Sequence, residues 1–119
     1  MIRLITRGRF TQKLIQGNLE APEDRGPAVR QLVEAAGARM VAYYITTGDY
    51  DFTLISEAED ADSAIAAMMV AGAAGTITGV TTVRAWTAAE FKPVAEKAGT
   101  VAGSYRAPGR PKEADVWSG

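Results

Sequence analysis

Asp49, Tyr50 and Asp51 come nearest, by type and spacing, to a reactive group in this chain. A carboxylate shielded by a neighbouring ring is desolvated, so its pKa rises and it can act as a base. The structural reading of the same residues is a turn. Asp in a turn accepts from nearby backbone N–H groups, and Tyr50 packs in a hairpin or an interface. Arg84 is the second candidate, on a strand face shared with Thr78, Val80, Thr82 and Trp86. An arginine there can hold the carboxylate or phosphate of a small ligand through a bidentate contact, or pair with an acid on the adjoining strand. Arg39, Arg3 and Arg7 can join it from other strands. Tyr43 or Tyr44 can line a cavity between sheets or simply pack, and Arg25 can tie the start of a helix to an acid. The candidates are therefore Asp49, Tyr50 and Asp51 for catalysis, and Arg84, Tyr43, Tyr44 and Arg39 for ligand binding.

Composition limits what else these residues can do. The chain has no cysteine, so thiolate catalysis, disulfides and iron–sulfur clusters are excluded. It has no histidine, which removes the Ser-His-Asp triad and most zinc, copper and haem ligation. The acids at Glu20, Glu23, Asp24, Asp49, Asp51, Glu57, Glu59, Asp60 and Asp62 are scattered and lack calcium-loop spacing. No metal site and no cofactor are expected. Gly72-Ala73-Ala74-Gly75 follows a helix instead of opening one, so it is not a phosphate loop. Thirteen basic residues stand against fourteen acidic ones, and a net charge of −1 gives no electrostatic reason to bind nucleic acid or an anionic membrane. Met1 to Lys13 lacks the continuous apolar run of a signal peptide, and no stretch approaches the roughly 18 apolar residues of a membrane span. A cytoplasmic location is the default expectation.

The elements that must position these residues are legible in the patterning. Ile2 to Arg7 reads as a strand, and Phe10 to Leu19 as a helical turn or short helix. Pro22 to Pro27 starts a helix that Asp24 can cap. Ala28, Val29, Leu32, Val33 and Ala36 form its apolar stripe, and Gly37 stops it. Arg39 to Ala58 is a hairpin rich in β-branched and aromatic residues, with Gly48-Asp49 as its tight turn. Strict alternation puts Val41, Tyr43 and Ile45 on one face and Met40, Ala42 and Tyr44 on the other. A helix after Asp60 or Asp62 places Ile65, Met68, Met69 and Gly72 together as core residues. Thr76 to Trp86 is the last strand. Thr87-Ala88-Ala89-Glu90 is a capping box for a final helix, with Trp86 and Phe91 at the staple positions and Pro93 expected to kink or shorten it.

The order β-α-β-β-α-β predicts an α+β, ferredoxin-like fold with a four-stranded antiparallel sheet. Both crossover helices lie on one face, with a short C-terminal helix and an extended tail added. The domain is expected over 1–98. Residues 99–119, with four glycines and two prolines, form a tail. It is either flexible or an arm that docks on a neighbouring subunit through Tyr105 and Trp117. Neither hairpin face is plainly polar, whereas a sheet covered on one side should turn polar residues outward. The sequence therefore predicts a homo-oligomer built on a sheet-to-sheet dimer.

The chain resembles the GYD domain family, small bacterial and archaeal proteins of the dimeric α/β-barrel type. The resemblance rests on Pro22-Glu23-Asp24-Arg25, the hairpin from Tyr44 to Phe52 with Gly48-Asp49-Tyr50-Asp51, the threonine-rich last strand, and Thr87-Ala88-Ala89-Glu90-Phe91. It covers about residues 1–95, and the tail from Gly99 departs from it. It implies a fold and an oligomeric habit, and no reaction. Two functions compete. One is a homo-oligomeric binding or assembly module holding a small organic ligand between sheets. The other is a cofactor-independent enzyme, monooxygenase- or isomerase-like, acting on a small organic substrate. A regulatory ligand-sensing domain is a third reading.

Overall fold

A computed structural model describes residues 1–109. Trp117, one of the two aromatics expected in a docking arm, lies outside them. The elements are β1 (Ile2–Phe10), α1 (Gln12–Glu20), α2 (Gly26–Ala35), β2 (Arg39–Ile45), β3 (Phe52–Ala58), α3 (Asp62–Ala73), β4 (Ile77–Ala85) and α4 (Ala88–Val101), followed by a 3-10 turn at Ala102–Ser104. The strands form one antiparallel sheet in the order β2-β3-β1-β4. This is the expected ferredoxin-like arrangement, with two helices in the first crossover instead of one. The chain divides into two compact units, Met1–Ala85 and the part from Trp86 onward.

In the first unit the core lies between the sheet and the helices α2 and α3. Val33, Ala38, Met40, Phe52, Leu54 and Ala58 are buried together, with Phe10, Val29, Tyr43, Met68, Ile77 and Val80 packed against them. Burying each large side chain contributes about 1.5–3 kcal/mol. β3 alternates strictly, its Phe52, Leu54, Ser56 and Ala58 buried on the helix side. Gly8 pairs with Phe52 across β1 and β3. A Cβ at Gly8 would meet two carbons of the Phe52 ring at 2.8 Å and a methyl of Val80 at 3.1 Å. Glycine is what lets that ring lie flat across β1. Thr6, wholly buried, shares a hydroxyl–hydroxyl bond of 3.0 Å with Thr82.

Three local expectations are corrected. First, β2 does not alternate throughout. A bulge between Met40 and Ala42 puts Met40 opposite Ser56 and Tyr43 opposite Leu54. Met40 is therefore buried and Val41 exposed. The extra residue of the bulge shifts every later side chain to the other face. Second, α3 buries Ala64 and Ala67 with Met68 half-covered, while Ile65 and Met69 face outward, Met69 being 70% exposed. The helix is apolar on all sides, so periodicity could not choose its buried face, and alanine allows the closest approach to the sheet. Third, Gly48-Asp49 is not a two-residue turn. Strand pairing ends at Ile45 opposite Phe52, and the loop closes where the Thr46 N–H donates to the Asp51 carbonyl at 2.8 Å.

The helix ends follow their capping chemistry. Thr11 caps α1, its hydroxyl accepting from the Leu14 N–H at 3.3 Å. The same hydroxyl donates to the Gly75 carbonyl at 2.5 Å, and the Lys13 ammonium donates to the Ala74 carbonyl at 3.0 Å. α1 is thus fastened to the loop after α3. Asp24 caps α2 from one position further out than a true N-cap, accepting from the Gly26 N–H at 2.8 Å. Gly37 and Gly48 both take φ near +95°, the left-handed conformation that ends a helix or turns a loop at no cost to glycine.

In the second unit the capping box forms in full. The Thr87 hydroxyl accepts from the Glu90 N–H at 3.1 Å, and the Glu90 carboxylate accepts from the Thr87 N–H at 2.7 Å. The Trp86 and Phe91 rings meet edge to face at 5.6 Å. Pro93 stands inside α4, yet the helix runs on to Val101, past the change of composition at Gly99. Among the described residues no helix is long and apolar enough to cross a membrane.

Candidate functional site

The hairpin group is held by backbone. One carboxylate oxygen of Asp51 accepts from the Phe10 N–H at 2.9 Å, and the Asp51 N–H donates to the Gly8 carbonyl at 2.8 Å. These bonds continue the β1–β3 contact past its last pair, Gly8 opposite Phe52. The Asp49 carbonyl accepts from Arg9 Nε at 2.9 Å, and the Thr46 hydroxyl donates to the Tyr50 carbonyl at 2.7 Å. The Tyr50 ring lies 6.0 Å from the Arg7 guanidinium carbon, within reach of a weak cation–π contact. Asp49, Tyr50 and Asp51 thus clamp the loop to the end of β1.

The four proposed ligand residues do not come together. β2 and β4 are the two edges of the sheet. Arg84 is on β4 opposite Leu4, on the helix-side face and exposed. Thr78 has left that face, since the irregularity shifts it opposite Arg9. Tyr43 is on β2 opposite Leu54, also on the helix side. Arg39 and Tyr44 lie on the open face, opposite Glu57 and Thr53. Arg39 is ion-paired to Glu57, whose other oxygen is 3.8 Å from Arg3. The three charges make a row across β2, β3 and β1.

What the structure does bring together is Arg25 and Tyr43. Three of the cavities around α1 and the start of α2 share Arg25 in their walls. The innermost, about 70 Å³, is bounded by Phe10, Tyr43, Phe52, Leu54, Met68 and Ile77 among others. An outer cleft of about 320 Å³ runs along Lys13, Leu14, Asn18 and Glu23, and another of about 410 Å³ along Asn18, Arg30, Met40 and Tyr43. Arg25 and Leu14 line all three. The Phe10 and Phe52 rings are stacked at 5.7 Å, and Tyr43 leans on Phe52 at 6.1 Å. Arg25 Nη1 donates to Glu23 at 2.6 Å, and the Glu23 N–H donates to the Asn18 side chain at 3.2 Å. Burial raises the pKa of the Tyr43 phenol above its ordinary 10.0, while the positive charge of Arg25 pulls it back in part.

Arg25 was expected to tie the helix start to an acid, and it does. Its place at the junction of the cavities was not foreseen, nor were Phe10, Leu14 and Asn18 as wall residues. The available signal was Pro22-Glu23-Asp24-Arg25, which reads first as capping chemistry. Tyr43 lines a cavity on the helix side of its own sheet.

The fold and the clustered cavities define a small ferredoxin-like α+β protein with an aromatic-lined recess between sheet and helices, Arg25 among its lining residues. The chain belongs to the GYD domain family, whose model matches residues 4–95. Among solved structures it is similar to TTHA0845 from Thermus thermophilus, at a TM-score of 0.47 and 18% identity, over 74% of this chain and 96% of that one. No curated protein matches it.

Proposed function

We propose that the protein is a homo-oligomeric binding and assembly module whose basic unit is a dimer joined sheet to sheet, each chain holding a small organic ligand. The observation that carries the assembly is the open face of the sheet. Register puts Ile5, Ile55, Val83 and Ala42 side by side on β1, β3, β4 and β2. Val83 is 55% exposed and Tyr44, on the same face, 59%. An apolar row of this extent across a whole sheet is poor in water. A second copy covers it economically, since an isologous contact uses one patch twice. The Arg3-Glu57-Arg39 row would then form part of the rim. The helix-side recess supports a ligand beside the sheet instead of between two sheets.

The test is the solution mass by size exclusion with light scattering. A dimer or a multiple of it is expected, and a soluble monomer at micromolar concentration sinks the assembly. The alternative, a cofactor-independent enzyme, would draw its acid or base from Tyr43 beside Arg25, because Asp51 is committed to the Phe10 N–H.

A further inference from the structure

The cleft of about 410 Å³ beside Tyr43 falls within the roughly 300–1,000 Å³ of small-molecule sites. The inner recess is core by comparison, since Phe52 and Leu54 in its wall are almost wholly buried. One side of the cleft is apolar and reachable. Phe10, Leu14 and Tyr43 are half-buried there, and Ile45 is 63% exposed. The other side carries both signs of charge on three consecutive residues, Glu23, Asp24 and Arg25. Each has bonding capacity left among the described residues. Arg25 donates to one Glu23 oxygen through Nη1, out of the five N–H groups of a guanidinium. Glu23 keeps its second oxygen. Asp24 accepts from the Gly26 N–H through one oxygen and keeps the other. Arg30, the second cation of the cleft, is offset by Glu34 at 4.0 Å. A ligand of one charge meets an opposite and a like charge together at this mouth. A ligand that carries both charges meets a partner for each. The two must lie close on the ligand, because Arg25 and Glu23 are in contact at 2.6 Å.

We propose that this cleft binds a small zwitterion with an apolar side chain, an α-amino acid. Its carboxylate meets Arg25, its ammonium meets Glu23 and Asp24, and its side chain lies along Leu14, Tyr43 and Ile45. The proposal rests on the binding-module reading and names the ligand class for it. The Arg25 and Glu23 side chains are 38% and 58% exposed, so each ion pair alone contributes modestly. Selection comes from answering both signs at once, and affinity from the apolar side chain leaving water. Glu23 already holds the guanidinium, so little side-chain freedom is lost on binding.

L-norleucine is the probe. Hexanoate lacks its ammonium, hexylamine lacks its carboxylate, and 6-aminohexanoate is an isomer with the two charges at opposite ends. Binding is followed by NMR on methionine-methyl and aromatic signals and by the shift of the melting temperature. Norleucine should bind saturably with perturbation of Met40 and Tyr43, and each control should bind roughly fivefold or more weakly, the worth of one partly exposed ion pair. Arg25→Gln should remove the preference for norleucine over hexylamine. Glu23→Gln combined with Asp24→Asn should remove the preference over hexanoate and keep that over hexylamine, and asparagine still caps α2. Any control that binds as tightly as norleucine, preferences unchanged in these variants, or no saturable binding of norleucine overturns the proposal. Light scattering on the same samples separates the two ideas. A dimer that ignores norleucine overturns the ligand class alone, and a monomer that selects norleucine overturns the assembly alone.

Discussion

Tyr43 is the residue where position, environment and chemistry meet. It sits one residue beyond a bulge, which is what turns it toward the helices. Its hydroxyl is half-buried beside a cation, and burial outweighs the cation, so its pKa lies above 10.0. The consequence for stability has a definite sign. Below pH 10 the phenol is protonated in both folded and unfolded chains, and its contribution is fully present. As pH rises through the unfolded value the unfolded chain loses its proton first, so the folded state binds more protons and stability falls until the folded value is passed. Tyr43→Phe should therefore flatten the decline in denaturation free energy above pH 10 while leaving stability at pH 7 within about 1 kcal/mol. A variant that declines as steeply as the wild type would place the titrating group elsewhere. The residues first read as catalytic show the opposite case. Asp51 looks reactive by type and spacing, and in the fold one of its carboxylate oxygens accepts from the Phe10 N–H. Its type was visible in the sequence, and its partner forty-one positions away was not.

At the scale of elements, the number, order and pairing of strands followed from patterning, because β-branched runs and capping boxes are local. The box Thr87-Ala88-Ala89-Glu90 and the Trp86–Phe91 staple formed as written. What failed depended on contacts between elements. The bulge at Val41 adds one residue to β2 and leaves no mark in composition. α3 is apolar on every side, so only the close packing of Ala64 and Ala67 on the sheet chooses its face. The recess is of the same kind, assembled from α1, the start of α2, and the sheet. Gly8 is the sharpest instance of an element-level constraint. Read alone it ends a strand, yet β1 continues through it to Phe10, and its missing side chain is the space that Phe52 occupies. Gly8→Ala should cost about 1–3 kcal/mol by overpacking, and it should also move Phe52 off Phe10 and Tyr43. Urea denaturation reads the first effect, and aromatic NMR shifts read the second. An unchanged midpoint would mean that the ring gives way freely and that the recess is not rigid.

For the whole molecule, the proposed assembly turns on the open face of the sheet. Val83 stands on the edge strand β4, paired with Ile5, and Ile5 is paired in turn with Ile55. If this row meets its copy, each substitution enters the contact twice. Val83→Asp removes an apolar side chain worth about 1.5–3 kcal/mol when fully buried and places a carboxylate where desolvation is unfavourable. Two such losses per dimer, about 3 kcal/mol or more, weaken association by roughly a hundredfold or more. The side chain is exposed in the single chain, so the fold itself should tolerate the change. The wild type should melt at a temperature that rises with protein concentration, as folding linked to association requires. Val83→Asp should melt at a temperature independent of concentration and elute with half the mass. Retention of the wild-type mass by a folded Val83→Asp protein would show that the open face is not the contact, and the assembly would have to be sought at the sheet edges or on the outer face of α3.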